Sequence, residues 1–306
     1  AVSLLQSMLC QLHVEAIAVI GCPDRPPQDL AADSSSCTAL NDILMAGLDV
    51  SGHYSGMRAE QTGSRAFTDA WQRAMQQRGI DAAPKLYSGY ACDLDKTCQR
   101  LASASNIAEA PVHFFKDLND RLTNEARDYL DKLENELPPL LNKKERPCAS
   151  EEVQNEQRMA VKARTAAYWK MARYLMDKGP AAFRGQDNCI AAPCLFHANG
   201  TVCDGCCPIR ADVCAKVRVD VSGSTCVAFC TNGNGDNLAH SSMRAFHIWA
   251  ASVRHLRPHM VVHECGALWM KSLLEWWFAD LYEIHSMQHP GPVLMGWPIR
   301  KPRSYT

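Results

Sequence analysis

The sequence predicts an α/β fold in which a mostly parallel sheet carries helices on both faces and is interrupted by a helical, cysteine-rich insertion. Three observations predict it. Short apolar runs alternate with helical stretches through the first and last parts of the chain, the rhythm of strand, crossover helix and parallel strand. Between them the rhythm gives way to charged segments at 118–142 and 151–178 with helical period, Leu118, Leu122, Leu130, Leu133 and Leu137 falling on one face. With 306 residues, 47% of them apolar, the chain can bury a full core.

Residues 1–40 read as an N-terminal extension: a mostly apolar start in which HVEAIAVIG has strand character, then PDRPPQDLAADSSS, a linker by composition. The next unit, 41–117, opens with the apolar run 44–50, a glycine-bearing turn and a helix to about Gln77. KLYSGYAC follows as a strand ending at Cys92, then a helix over about 96–104 and PVHFF as a further short strand. The insertion, 118–214, holds the two charged helices, broken at Pro138 and Pro139, and the cysteine-rich stretch 189–214. The last unit, 215–306, resumes with KVRVDVSGS as a strand, a Gly/Asn loop, a helix over about 241–256 and HMVVHE as a strand. A Trp-rich helix (LWMKSLLEWWFADL), a strand candidate (YEIHSMQ) and the basic tail GWPIRKPRSYT complete it.

Composition excludes several classes of function. Lys and Arg number 32 against 33 Asp and Glu, so a polyanionic partner must be met by a local patch rather than by a basic surface. Lys143, Lys144, Arg146, Arg158, Lys162 and Arg164 offer such a patch, though a solvated helix face explains them more simply. No run approaches the roughly 18 apolar residues of a membrane span, and no basic region precedes an apolar stretch and cleavage site at the start. The expectation is a soluble intracellular protein, its start at Ala1 suggesting a processed form or a fragment. For 15 cysteines without a secretory signal, reduced thiols and one metal site are favoured over a disulfide framework.

In open α/β sheets ligands collect at the carboxyl ends of the strands, so the residues after each apolar run carry the chemistry. After the first comes Ser51-Gly52-His53-Tyr54-Ser55-Gly56, whose glycines let backbone amides approach a ligand. After the second comes Asp93-Leu94-Asp95-Lys96, where a carboxylate can accept the two hydroxyls of a ribose, or where Asp93 or Asp95 simply caps a helix. Cys226 follows a strand on a glycine-flanked loop, as a nucleophilic thiol would if its pKa were lowered, or as a buried structural cysteine. VVHE ends a strand with Glu264, an exposed cap or an active-site acid.

Taken in order, these pieces resemble the DNA cytosine-5 methyltransferase family, enzymes that bind S-adenosylmethionine on a Rossmann-like, class I methyltransferase sheet. VSGHYSG is similar to the family's FSGxGG turn, with Ser51 and Gly52 at the cofactor, and ACDLDKTC to its second motif, which implies Asp93 on the cofactor ribose. FFKDL resembles the third, implying Asp117 near the adenine. STCVAF takes the place of Pro-Cys-Gln, HEC that of Glu-Asn-Val, and GWPIRKPR that of GxPQxRxR. The resemblance therefore implies Cys226 as nucleophile, Glu264 as the pyrimidine-contacting acid, and Lys301 and Arg303 as base-orienting cations. It implies a DNA partner, with RNA open, and a nuclear or otherwise intracellular place. Thr225, Val227 and Ile299 depart from the family's Pro, Gln and Gln, and Asp49 stands one residue nearer the turn. Those departures keep a catalytically degenerate scaffold as the rival reading. The family's order would continue past Thr306 with a target-recognition region and two last motifs.

The cysteine-rich stretch has two readings. Cys194-x2-His197 and Cys203-x2-Cys206, with Cys189, Cys207 and Cys214 nearby, can close a structural tetrahedral zinc site; the alternative is a set of reduced thiols in a loop-rich insertion. Trp269, Trp276 and Trp277 are expected in the core or on a partner surface, and His240, His247, His255 and His259 show no ligand spacing.

Overall fold

The computed structural model describes residues 45–53, 59–77, 79, 81, 83–104, 112–141, 146, 149–185, 189–197, 206–210, 217–223, 226–229, 236–266, 269–289 and 303–306. Its main sheet is built around β1 (Leu48–His53), which pairs in parallel with β2 (Leu86–Tyr87) and β3 (Tyr90–Cys92) on one side and with β7 (Val217–Gly223) on the other. β4 (His113–Phe115) lies outside β3 and β8 (Met260–Gly266) outside β7, again in parallel. Beyond β8 the direction reverses: β10 (Arg303–Tyr305) runs antiparallel both to β8 and to β9 (Met287–His289) at the far edge. The order is β4-β3-β1-β7-β8-β10-β9, with β2 beside β1.

β1 is buried on both faces, as a central parallel strand must be. Val50 is buried on one side, and Asp49, Ser51 and His53 alternate along the other. Helix α1 (Ala59–Gln77) packs against β1 and β2, burying Trp71 and Met75 one turn apart. α2 (Lys96–Ala104) follows β3. The face of Asp49 and His53 is covered by α5 (Ser242–Leu256), whose apolar stripe of Phe246, Trp249, Val253 and Leu256 faces the sheet. Behind α5 stand α4 (Glu151–Lys178), α3 (Asn124–Asn135) and, on the other flank, α6 (Lys271–Phe278). Thr123 and Ser150 cap α3 and α4 through hydroxyls that accept from Ala126 N and Val153 N, and Gly179, at φ +53°, ends α4.

The segment read as an insertion shares one apolar core with the sheet: Leu130, Met171 and Leu175 pack in the same cluster as Phe246, Trp249 and Trp277. Part of its cysteine-rich stretch is a hairpin, β5 (Cys189–Pro193) with β6 (Cys206–Arg210), that lies along the outer edge of β4. Leu195 N donates to Phe114 O at 2.8 Å there.

The structure also moves two boundaries. The first strand runs 48–53, not 44–50, because residues 45–46 are helical and the ladder with β7 continues to His53. KLYSGYAC is two strands rather than one. Gly89 separates them, its N–H donating to Asp49 Oδ1 at 2.9 Å, and a Cβ at that position would stand 3.0 Å from Asp49 Oδ2. Among the described residues no helix is long and apolar enough to cross a membrane.

Candidate functional site

The chain runs outward from β1 to β3 and β4, then returns to β7 on β1's other side. A crevice at the carboxyl ends of β1 and β7 is where such a reversal places a ligand. His53, Asp93, Asp117, Cys226 and Glu264 lie at or just past the carboxyl ends of β1, β3, β4, β7 and β8 respectively.

Ser51 and Gly52 lie within β1 rather than in the turn after it. Ser51 Oγ donates to Asp49 Oδ1 at 3.1 Å and accepts from Tyr90 N at 3.3 Å, so its hydroxyl ties β1 to β3. Gly52 is held in the ladder between Ala91 and Val221. Asp93 follows β3, half-buried, and its N–H donates to Phe115 O at 3.2 Å, which locks the ends of β3 and β4 together. Of the two acids in this turn it is Asp95 that caps α2, accepting from Thr97 N at 2.7 Å and Cys98 N at 3.1 Å. Those amides hold the Asp95 carboxyl below its ordinary pKa. Asp117 ends β4's exit and caps the following turn by accepting from Asn119 N at 2.9 Å.

On the other side of β1, Cys226 opens a short 3-10 turn (Cys226–Phe229) three residues beyond the end of β7. Glu264, half-buried, is in register with Gly223, the last residue of β7, and with Tyr305 of β10. Arg303 pairs with Gly266, two positions further along the same ladder. The backbone thus gathers Cys226, Glu264 and Arg303 on three consecutive segments at one end of the sheet. Lys301 lies outside the described residues. Cys92 is no rival nucleophile: burial pushes its thiol up to about 12, so it stays protonated.

Between β1, β3 and β7 lies a buried polar network that the sequence reading missed. Asp220, on β7, accepts from His53 Nδ1 at 3.0 Å, from Tyr90 Oη at 2.6 Å and from Trp249 Nε1 at 3.1 Å. Arg121, with no exposed surface, puts Nη1 at 2.5 Å from His53 Nε2, and its guanidinium stacks over Tyr90 and Phe115 at 5.6 and 5.7 Å. A guanidinium can only donate, so Nε2 is the acceptor and Nδ1 carries the proton given to Asp220. His53 is therefore neutral, in agreement with its pKa, which burial lowers despite the nearby carboxylate. Burial raises the Asp220 carboxyl, but the hydrogen bonds it accepts from His53, Tyr90 and Trp249 outweigh that and hold it below the ordinary carboxylate range. A buried Arg⁺ and Asp⁻ linked through one neutral imidazole bind β1, β3, β7, α5 and the turn after β4 into one frame. A signal was present in the sequence: Asp49, Ser51 and His53, and again Asp220 and Ser222, are polar residues at alternate positions of otherwise apolar strands.

The second constellation sits where the hairpin meets β4. His113, Cys194, His197 and Cys207 each offer a ligand atom, and all four atoms lie within 4.8 Å of one another. Cys194 and His197 are the pair expected from their spacing. Cys207, from β6, was expected only as a nearby cysteine, and His113, from β4, was not expected at all. Of the expected partners, Cys203 lies outside the described residues, and for Cys206 only the backbone, in β6, is described.

The tryptophans and histidines are core residues for the most part. Trp277 and Trp269 are buried and Trp276 is 38% exposed. His247 accepts from Trp277 Nε1 at 3.2 Å, and burial lowers its pKa to about 3. His263, beside Glu264, packs among Phe246, Trp249 and Trp269 and is lowered to about 3 in the same way. Compared with known proteins, the chain matches no family model and no curated protein.

Proposed function

We propose that this protein transfers a methyl group from S-adenosylmethionine to carbon 5 of cytosine in DNA, through a covalent adduct on Cys226. The observation that carries the reading is the placement of Cys226, Glu264 and Arg303 at the end of β7, at the end of β8 and on the strand paired to β8, in the order the motifs predict. The sheet supports it too. Its first five positions follow the doubly wound order that puts a nucleotide at the β1/β7 reversal, and the antiparallel β10 slipped between β8 and β9 suits a methyltransferase sheet of this class.

The residues present fit the cofactor. Asp93, whose Oδ1 accepts from Asp95 N at 2.8 Å, would accept from the ribose hydroxyls through its other oxygen, Asp117 would stand by the adenine, and Ser51 and Gly52 would meet the amino-acid end. Bound there, S-adenosylmethionine supplies an electrophilic methyl group. The protein's own residues do the rest. Carbon 5 of cytosine is a poor nucleophile, and the Cys226 thiolate, adding at carbon 6, makes the ring an enamine that reacts at carbon 5. Glu264 would give a proton to ring N3 from one carboxyl oxygen and accept from the exocyclic amine with the other, favouring the charge that develops as sulfur adds. Arg303, with Lys301 or Arg300, would orient the base. The carbon 5 proton then passes to solvent acting as base, its electron pair re-forms the carbon 5–carbon 6 double bond, and the Cys226 thiolate leaves. None of these groups reaches a base within a duplex, so the nucleotide must swing out of the stack.

The test is a covalent trap. The protein is incubated with S-adenosylmethionine and a 5-fluorocytosine oligonucleotide, as DNA and separately as RNA, and adducts are sought on denaturing gels and by mass spectrometry. Fluorine at carbon 5 blocks the last elimination. The expected result is an adduct with DNA that is absent in Cys226→Ala. An adduct with RNA alone would change the substrate, and none at all, with the cofactor still bound, would leave a scaffold without turnover.

A further inference from the structure

We propose that His113, Cys194, His197 and Cys207 hold one structural zinc ion that fastens the β5–β6 hairpin to the edge of the main sheet. This inference is independent of the methyl-transfer reading.

The geometry is the first argument. His113 Nδ1 lies 3.3 Å from His197 Nδ1, and Cys194 Sγ lies 3.4 Å from the same atom. In a tetrahedral zinc site, with bonds of about 2.0–2.1 Å to nitrogen and 2.3 Å to sulfur, neighbouring ligand atoms are separated by about 3.3–3.8 Å. Those two separations match edges of such a tetrahedron, and all four ligand atoms lie within 4.8 Å of one another. Hydrogen bonding does not explain them equally well. His197 Nδ1 faces both the His113 ring nitrogen and the Cys194 sulfur, and an imidazole nitrogen has one in-plane lone pair or one proton to offer. A cation at the centre serves all the facing atoms at once.

Chemistry points the same way. Two thiolates and two imidazoles in tetrahedral array form a borderline-soft donor set that suits zinc. Both sulfurs are buried, Cys194 at 3% and Cys207 at 2% exposure, so an ion there has four protein ligands and little room for water. The Phe114 N–H points at Cys194 Sγ from 3.4 Å, a backbone donor of the kind that supports a metal-bound thiolate.

The ligands come from three places: His113 opens β4, Cys194 and His197 follow β5, and Cys207 lies in β6. The hairpin and the three-residue strand β4 meet through one isolated bridge, Phe115 with Cys194, beside the Leu195–Phe114 hydrogen bond. A metal at this point would secure a short edge strand whose far end leads to Asp117 and Arg121. It would also cover an edge that is otherwise a template for pairing with other chains.

The experiment uses the full chain. Zinc is measured by mass spectrometry of metals in the purified protein, and Co²⁺ is exchanged in as an optical probe. The proposal expects one equivalent of zinc, and a Co²⁺ spectrum with the intense visible bands of a tetrahedral site and the near-ultraviolet charge transfer of two thiolates. Cys194→Ser, Cys207→Ser and His113→Ala should lose the metal; Cys203→Ser and Cys206→Ser should keep it. Ligand losses can also unfold a metal-dependent segment, so His113→Cys is the decisive variant. It keeps four ligands and should raise the charge transfer from the two-thiolate to the three-thiolate level. The proposal is overturned by a chain that takes up neither metal, by an unchanged spectrum in His113→Cys, or by loss of zinc in Cys203→Ser or Cys206→Ser with retention in Cys207→Ser.

Discussion

At the scale of single residues the structure separates groups that hold the site from groups that would work in it. Asp220 belongs to the first kind. It answers the buried charge of Arg121 through His53 and accepts from Tyr90 and Trp249, so no neighbour can replace it. Removing one partner of a buried charge pair costs about 3–5 kcal/mol, because the other charge is left in a medium that cannot solvate it. Asp220→Ala should therefore lower the urea midpoint by that equivalent, and Asp220→Asn, which keeps an acceptor oxygen, by less. A loss below 1 kcal/mol in the alanine variant would mean that Arg121 has another counter-charge. Asp93 and Asp95 make the opposite test, two carboxylates in one turn with divided duties. Asp93→Ala should weaken S-adenosylmethionine binding about tenfold or more, roughly 1.4 kcal/mol by calorimetry, and, losing only the bond from Asp95 N, shift the melting curve little. Asp95→Ala, which removes the cap of α2, should do the reverse. Equal behaviour of the two would remove the ribose role from Asp93.

At the scale of elements, two arginines join the charged helices to the sheet's own helix and to the turn that precedes it. Arg244, on α5, reaches Asp131 at 2.6 Å and Glu134 at 2.7 Å on α3, and its Nε donates to Asn119 at 2.8 Å. Arg164, on α4, donates to the carbonyls of Ala239 and Pro138 at 2.8 and 3.1 Å. Arg244 is 11% exposed, so its hydrogen bonds to charged partners are sheltered from water, and Arg244→Ala should cost about 1.5–3 kcal/mol in urea unfolding. Lys178→Ala, which breaks the exposed pair with Glu125, should leave the midpoint where it is. Elements with local signals were legible in the sequence: α2 and α4 end where periodicity, caps and Gly179 say they should. The β5–β6 hairpin was not, because its cysteines and prolines show no alternation and its strands are fixed by β4, far off in the chain. The candidate metal site divides along the same line. Cys194 and His197 are close in sequence and visible as a pair, whereas His113 lies about eighty positions away and becomes a neighbour only through strand pairing. Spacing alone also cannot choose between Cys206 and Cys207, since adjacent strand residues point to opposite faces.

At the scale of the whole molecule, the face of the sheet beneath α5 is built to exclude protons. His247 and His263 are both lowered to about 3 by burial, His247 against Trp277 and His263 against Trp269, and His53 is lowered as well. In the unfolded chain the same side chains titrate near 6.5. As the pH falls below that value, the unfolded state takes up protons that the native state refuses until about 3, so folding loses free energy across the interval. The depressed carboxyl of Asp220 adds to the loss at the acid end, below its ordinary range. Asp49 and Asp120 have the opposite sign, since burial raises both and the native state gains from their protonation, but two histidines displaced by several units outweigh them. The expected outcome is a melting temperature that is level between about pH 7 and 8 and falls steeply between about 6.5 and 4, with a total loss of several kcal/mol. His247→Gln keeps an acceptor for Trp277 Nε1 without a titrating ring, and should reduce the proton uptake on unfolding by about one near pH 5. A melting temperature that stays level from pH 7 to 4.5 would mean that these histidines ionise in the folded protein. The packing of α5 on the sheet would then tolerate a charge that this arrangement of rings leaves no means to solvate.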